Sequence, residues 1–200
     1  MRLDHIVVTA PDLDAGCAWA EAALEVPLAP GGRHAAMSTH NRLLSLGADC
    51  YLEVIAPDPA APPPGRPRWF DLDGRTAPGL TNWAVRTDDL GAALAAAPDG
   101  AGEPWDLARG DLAWRMGVTA GGTTPLGGAF PMILEWRGAT AAERLPDAGC
   151  RLRALHVETP QADALRAALA FEDRRVRIDD APALHLWAEI DTPAGTRRLG

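Results

Sequence analysis

The chain contains the same short pattern twice, and this repeat limits the folds that it can adopt. Each copy opens with an apolar, strand-like run that carries one polar side chain, and closes with a run that carries a glutamate. These residues are His5 and Glu53 in the first copy, and Asn82 and Glu135 in the second. Polar groups in buried strands are costly unless they are paired or used. The repeat therefore points to both the fold and a candidate site.

The first copy, residues 1–56, has the pattern of a strand, a helix and three further strands. Apolar residues recur at helical spacing from Leu13 to Leu24, directly after Pro11, a good helix start. Runs rich in apolar and β-branched residues predict the strands, which are expected at 3–9, 34–38, 41–46 and 50–56. The first copy is therefore predicted to form a βαβββ module.

The second copy, residues 80–138, repeats this order, with strands expected at 80–85, 104–108, 112–118 and 130–137. A proline-rich linker at 57–79 separates the copies, and Trp69 and Phe70 within it favour an anchor that packs it down, with a lid as the alternative. Residues 150–200 indicate a partial βαββ module packed on the same domain, ending in a turn at 191–195. We therefore predict an α+β protein whose paired βαβββ modules form one curved, cleft-forming sheet.

The composition excludes several classes of function. Net charge is −8, so we expect no nucleic-acid partner. All 19 basic residues are arginine, which excludes a lysine Schiff base and the lysine of a phosphate-binding loop. The three cysteines lie far apart with no CxxC pair, and no signal peptide or membrane helix is evident. We expect a cytoplasmic protein without a membrane partner.

Strand alternation suggests where the polar residues point. It places His5 on one face with Leu3, and Asp4 on the other face. His5 and Glu53 would then face the same concavity, and Asn82 and Glu135 would do so in the second copy. A histidine with carboxylates suits Zn²⁺, Mn²⁺, Fe²⁺ or Ni²⁺. A direct contact between His5 and Glu53 without any metal is the competing interpretation.

A second group of polar residues lies at His34, Thr39, His40 and Asn41, after Gly31-Gly32-Arg33. In one interpretation these side chains line a ligand pocket, with a histidine as donor or base. In the other, the glycines form a turn, Thr39 and Asn41 satisfy backbone groups, and the histidines lie on the surface or are partly buried. Elsewhere, alternation places Trp83 and Trp136 on the side of the sheet that faces the helices.

Several segments resemble the glyoxalase-like domain family of the vicinal oxygen chelate superfamily, over nearly the whole chain. They are Leu-Asp-His-Ile-Val-Val at 3–8, Gly-Gly-Arg-His at 31–34, Thr-His-Asn at 39–41, Tyr-Leu-Glu at 51–53 and Thr-Pro-Ala-Gly at 192–195. The resemblance implies metal ligands at His5, Glu53 and Glu135, with Asn82 in the fourth position. Asparagine is a weaker, neutral ligand, so this departure puts metal binding in doubt.

The resemblance implies a metal-dependent lyase, isomerase or dioxygenase that acts on a small molecule, with Glu53 or Glu135 as a catalytic proton shuttle. The alternative is a metal-free protein that binds a small molecule or confers resistance through the same cleft. Two modules in one chain can complete one cleft, so the protein is expected as a monomer or a homodimer.

Overall fold

Twelve strands, four α-helices and two 3₁₀ helices, Trp69–Gly74 and Leu126–Gly128, form the regular structure of residues 1–169 and 173–200, which are the residues described by a computed structural model. The strands β1 to β12 are Arg2–Thr9, Ala29–His34, Thr39–Ser45, Tyr51–Pro57, Gly79–Arg86, Glu103–Arg109, Leu112–Val118, Met132–Trp136, Arg151–Thr159, Val176–Asp180, His185–Thr192 and Gly195–Leu199. The helices α1 to α4 are Leu13–Leu24, Leu90–Ala96, Ala141–Arg144 and Ala162–Ala168. None of the helices in these ranges is long and apolar enough to cross a membrane.

The first eight strands form one sheet in the order β2-β3-β4-β1-β5-β8-β7-β6. Within each copy the opening strand is parallel to the closing strand, and β1 and β5 join the copies in antiparallel fashion. The sheet curls into a half-barrel. This confirms the predicted α+β fold, in which two βαβββ modules form one curved sheet.

Two apolar clusters lie on opposite faces of this sheet. Ile6, Val8 and Val85 belong to the cluster on the outer face, which also contains residues of α1 and α2. Val7 and Leu134 belong to the cluster on the inner, concave face. Because a strand places successive side chains on opposite faces, a shift of one residue decides whether a side chain meets the helices or the concavity.

The two edges of the sheet meet at β2 and β6, where glycines permit a close approach. A Cβ atom on Gly32 would lie 2.6 Å from the Cδ of Arg109 on β6, and one on Gly31 would lie 2.2 Å from Oδ1 of Asn41 on the neighbouring β3. Gly31 and Gly32 therefore lie inside β2 rather than in a turn. The strand predicted at 34–38 is wrong: His34 ends β2, and residues 35–38 form the turn between β2 and β3, with Ser38 in the left-handed region at φ 50°.

The C-terminal residues form a separate sheet in the order β10-β9-β11-β12. Leu155, Val157 and Ile190 on one face of this sheet pack into the cluster on the outer face of the half-barrel. The predicted turn at 191–195 joins β11 to β12, a strand that the sequence patterns did not predict. The predicted βαββ unit is thus one strand short, because the Arg-rich stretch before Leu199 hides its alternation.

Residues 58–78, here called the strap, cross the concave side of the half-barrel. Trp69, Phe70 and Leu72 in the strap are 2%, 2% and 1% exposed and belong to the concave cluster. Phe70 has φ 60° and Asp71 has φ 52°, a conformation that costs non-glycine residues roughly 1–2 kcal/mol. Burial of the aromatic side chains offsets this cost, so the strap is an anchor, as the sequence favoured.

Candidate functional site

A cavity lies between the concave face of the half-barrel and the strap. Its enclosed volume is about 30 Å³, and the figure rises to about 400 Å³ only when the open space of its mouth is included. Five phenyl, phenol or indole side chains contribute to the wall, and two histidines, one glutamate and one arginine face it. The lining residues are His5, His34, Tyr51, Glu53, Trp69, Phe70, Arg109, Trp114, Met116, Leu134 and Trp136. Such a mixture of apolar wall and few polar groups is typical of a small-molecule site.

Three buried ionisable residues form a chain at one side of the cavity. His5 Nδ1 lies 2.7 Å from Asp4 Oδ1, and His5 Nε2 lies 3.5 Å from Glu53 Oε2. The imidazole also stacks on the ring of Tyr51, at 4.6 Å between centroids. All three members of the chain are at most 6% exposed. The imidazole is therefore fixed in orientation, with one nitrogen on Asp4 and the other toward Glu53.

Asp4 reaches this chain because β1 is irregular. The pairing of β1 with β5 shifts register between Leu3 and His5, so the predicted alternation fails there. Leu3 packs on the outer face, and Asp4 turns toward His5 and accepts from the indole N–H of Trp136 at 2.9 Å. The prediction that Asp4 points away from His5 is wrong for this reason.

Asp4 is held as an anion by its partners. Burial opposes its ionisation, but hydrogen bonds from His5 and Trp136, together with the charges of His5 and Arg86, lower the pKa of Asp4 below its usual value. An ionised carboxylate only accepts hydrogen bonds, so His5 Nδ1 must be the donor in this pair. Neutral His5 would then carry its free lone pair on Nε2, beside Glu53.

His34 lies on the opposite side of the cavity and is neutral. Burial is the main cause that lowers its pKa to about 4, with Arg109 acting in the same direction and Glu53 against it. Arg109 can only donate, so His34 Nε2 accepts its N–H at 3.2 Å and His34 Nδ1–H donates to Thr39 Oγ1 at 3.0 Å. His34 lines the cavity, and its predicted role in ligand binding stays a prediction.

Thr39 and Asn41 support the cavity from behind. Asn41 donates its amide N–H to Glu53 and accepts from the backbone of Gly32 at 2.8 Å. Thr39 holds His34. Neither is a lining residue. Their predicted ligand-binding role is therefore replaced by one of positioning Glu53 and His34.

His40 faces away from the cavity. It lies between Thr39 and Asn41 on β3, and strand alternation turns it to the other side of the sheet. It is absent from the lining residues, and its Nε2 is buried without a hydrogen-bond partner. The prediction that His40 contacts a ligand in this cavity is wrong.

Glu135 also lies on the outer face, so the prediction that it joins His5 and Glu53 is wrong. Its Oε2 accepts from the backbone N–H of Leu90, the first residue of α2, at 3.0 Å, and its Oε1 lies 2.9 Å from Arg137. Leu134 and Trp136, its neighbours on β8, line the cavity instead. Glu135 therefore caps a helix.

Replacing Glu135 with alanine should lower the free energy of unfolding by about 1–2 kcal/mol, because the Leu90 N–H loses its acceptor. Urea unfolding measures this change. Asp106→Ala is the control, since it removes an exposed carboxylate that contacts the same Arg115. It should change stability by less than about 0.5 kcal/mol. A large change in ligand affinity with Glu135→Ala would contradict the assignment of Glu135 to the outer face.

A family model described as the glyoxalase-like domain matches residues 3–171. The chain belongs to the glyoxalase-like domain family. This confirms the family suggested by the sequence motifs. A comparison with curated proteins found no match.

Comparison with solved structures found several chains of low sequence identity, and the first of those described below shares the fold. A hypothetical protein from Staphylococcus aureus has a TM-score of 0.63 and 14% identity, over 92% of this chain and 87% of that one. A variant of Streptomyces coelicolor methylmalonyl-CoA epimerase, bound to 2-nitronate-propionyl-CoA, has a TM-score of 0.45 and 17% identity. The match covers 73% of this chain and 99% of that one. A methylmalonyl-CoA epimerase bound to methylmalonyl-CoA and NH₄⁺ has a TM-score of 0.46 and 18% identity. The match covers 72% of this chain and 98% of that one.

The donor atoms of this glyoxalase-like domain do not fit the predicted four-ligand metal site. His5 pairs with Tyr51 across β1 and β4, while Ala84 pairs with Met132 across β5 and β8. The second copy therefore places Ala84 where the first has His5, and Leu134 where the first has Glu53. Among the described residues, no group of three or more His, Cys, Asp or Glu side chains could hold a metal ion.

Asn82 does not compensate for this loss. It pairs with Val7 rather than with His5, its Oδ1 accepts from Thr81 at 2.8 Å, and it is not a lining residue. From this chain, His5 Nε2 and Glu53 Oε2 remain as two neighbouring donors, fewer than the three protein ligands usual for catalytic zinc. Binding of a divalent ion in this glyoxalase-like domain stays a prediction.

The sequence patterns missed the residues that close the cavity. Arg109 follows Trp105 and Leu107 at alternate positions of β6, so alternation carried a signal that it faces inward. Trp136 was expected on the helix side, yet it lines the cavity, whereas Trp83 packs in the outer cluster as expected. Nothing local in the sequence of the strap indicated that Trp69 forms the opposite wall.

Proposed function

We propose that this glyoxalase-like protein binds a small aromatic or planar molecule in the cavity and transfers a proton on it, as an isomerase or lyase. The observation that carries the proposal is the chain Asp4–His5–Glu53, which ends at the cavity. His5 Nε2 and Glu53 Oε2 are 3.5 Å apart, so both can reach one C–H or O–H group of a bound molecule.

The surroundings of His5 suit general acid–base chemistry. Asp4 accepts the Nδ1 proton and so leaves Nε2 free to take a proton from a ligand. The charge of Asp4 would stabilise the imidazolium that forms. Glu53 is held by Asn41 and supplies a second proton acceptor beside the same space. Two groups in fixed positions can remove a proton and return it elsewhere on the molecule.

The aromatic wall favours a flat ligand. His34 meets Trp69 and Trp114 edge-on, at 5.3 and 6.1 Å between ring centroids. Trp136 lies next to Trp114 at 5.6 Å. A planar ligand group would stack on these rings or meet them edge-on, the two arrangements that aromatic pairs prefer. A low local dielectric would also strengthen the interactions of His5 and Glu53 with a developing charge.

Hydrogen exchange into aryl ketones tests the proposal. Acetophenone and phenylpyruvate each carry C–H bonds next to a carbonyl, and NMR in D₂O follows their exchange with and without protein. We expect the wild-type protein to accelerate exchange, and both His5→Gln and Glu53→Gln to reduce the acceleration by about 10² or more. Glu135→Gln should leave it unchanged, because Glu135 lies on the outer face.

Other outcomes would overturn the proposal. Exchange no faster than without protein, or equal in wild type and His5→Gln, contradicts proton transfer by this chain. Quenching of tryptophan fluorescence by acetophenone in the absence of any accelerated exchange would instead support a protein that only binds its ligand. Loss of exchange with EDTA and recovery with Zn²⁺ or Mn²⁺ would show that metal chemistry, rather than His5 and Glu53 alone, supplies the activity.

A further inference from the structure

Arg109 differs from the other arginines around the mouth of the cavity. Arg33 lies 2.7 Å from Asp58, and Arg144 lies 2.9 Å from Asp111. Arg109 lines both the cavity and the outer cleft that contains Arg33 and Arg144. Among the described residues, no carboxylate lies within 4.0 Å of its guanidinium. Arg109 is therefore a half-buried cation without an anionic partner.

The one side-chain hydrogen bond of Arg109 leaves its charge intact. It donates to Nε2 of His34, which accepts as a neutral imidazole. A guanidinium has five N–H donors, so most of them remain available for a ligand. His34 is itself held by Thr39. The guanidinium is thus oriented by a neutral residue while it keeps its capacity to bind an anion in two-point fashion.

Trp69 provides a second, independent indication. Its side chain lines the same cavity and is 2% exposed, and its indole Nε1 has no hydrogen-bond partner. A buried N–H without an acceptor is costly, and a ligand that supplied an acceptor would remove that cost. His34 contacts Trp69 edge-on and Arg109 through Nε2, so both residues are neighbours of the same imidazole.

We propose that Arg109 and the indole N–H of Trp69 form an anion subsite, and that the cavity selects small aromatic carboxylates. The ligand's carboxylate would lie against Arg109, and its ring would lie between Trp69 and Trp114. This deepens the proposed function, since the opposite end of the ligand would lie beside His5 and Glu53. The subsite rests on the same cavity but requires no proton transfer.

Two probes of nearly equal shape isolate the effect of the ligand's negative charge on binding. 4-Fluorobenzoate and 4-fluorobenzamide differ at one group, and ¹⁹F NMR titration gives the Kd of each. We expect wild-type protein to bind the benzoate about tenfold or more tightly than the benzamide. Arg109→Met should abolish this preference, so that the two probes bind with nearly equal Kd. Arg109→Lys should retain part of it, because the charge remains.

Two further variants make the test specific. Trp69→Phe keeps an aromatic wall but lacks the N–H, so it should weaken benzoate binding by about two- to tenfold. Arg144→Met removes a cation that lines only the outer cleft, and should change neither Kd. Equal binding of both probes by wild type, or a benzoate preference that survives in Arg109→Met, would overturn the proposal.

The anion subsite and the proposed proton transfer can be tested separately. Acetophenone carries no carboxylate, so its exchange tests His5 and Glu53 without Arg109. A benzoate preference that depends on Arg109, without any exchange of ketone hydrogens, would support the anion subsite and reject proton transfer. Exchange of ketone hydrogens without a benzoate preference would support proton transfer and reject the anion subsite.

Discussion

Replacing Asp4 with asparagine should slow proton transfer in the cavity by a factor on the order of 10³–10⁴. The amide would offer an N–H to Nδ1 of His5, where the carboxylate accepts one at 2.7 Å. The proton of neutral His5 would then move to Nε2, the nitrogen that faces Glu53 and the cavity. His5 in this tautomer has no lone pair there and cannot take a proton from a ligand. Rates of ketone exchange in D₂O measure the loss.

The same substitution should also lower the free energy of unfolding, by roughly 2–4 kcal/mol. Asp4 is 1% exposed and accepts from His5, Trp136 and Arg86, so its replacement disrupts a buried network. Trp136→Phe is the matched control, because it removes one hydrogen bond to Asp4 and leaves the contact with His5. It should cost about 1 kcal/mol of hydrogen bonding and slow exchange far less. Comparable loss of rate in both variants would show that Asp4 does not act through the tautomer of His5.

The sequence predicted the modules well because they consist of local patterns. Alternation along β4 places Tyr51, Glu53 and Ile55 on one face, and the structure agrees. The strand is regular, with an unbroken register against β1. Where the backbone of a strand is regular, the alternation of successive side chains is sufficient to assign each one to a face of the sheet.

Two local departures account for the errors in the site. A register shift in β1 turned Asp4 toward His5, and alternation cannot foresee a bulge. In β8, the glutamate of the second copy is displaced by one position from the counterpart of Glu53, which is Leu134. A displacement of one residue moves a side chain to the other face. Two glutamates that look equivalent in sequence therefore have unrelated roles.

The residues that close the cavity depend on contacts between distant segments. Arg109 meets His34 only because the half-barrel brings β6 against β2. Trp69 becomes a wall because the strap crosses the concave side, where Arg66 of the strap donates to the backbone carbonyl of Thr119 at 2.8 Å. Neither contact has a signature within a single strand or helix. The sequence therefore indicated one side of the site, at His5 and Glu53, and not the other.

Between pH 6.5 and about 4, the native protein should lose roughly 3 kcal/mol of stability through His34 alone. Its pKa is about 4 in the folded chain, against 6.5 for an unperturbed histidine, chiefly because the ring is buried. As the pH falls through 6.5, the unfolded state gains a proton that the native state cannot bind, so unfolding becomes easier. Below about 4 both states are protonated, and this contribution stops growing.

Urea unfolding at pH 7, 5.5 and 4 measures the effect, with His34→Gln as the test variant. Glutamine can still accept from Arg109 but does not titrate, so the difference in stability between variant and wild type should shift by roughly 3 kcal/mol across this range. Asp4 does not interfere with this measurement. Its pKa is lowered from 3.8, so its effect on stability falls below pH 3.8, outside the range in which His34 titrates. Burial lowers the pKa of His156 too, in the same direction, so His156→Gln serves as the second control. Parallel curves for wild type and His34→Gln would mean that His34 titrates normally and that the Arg109 side of the cavity is open to water.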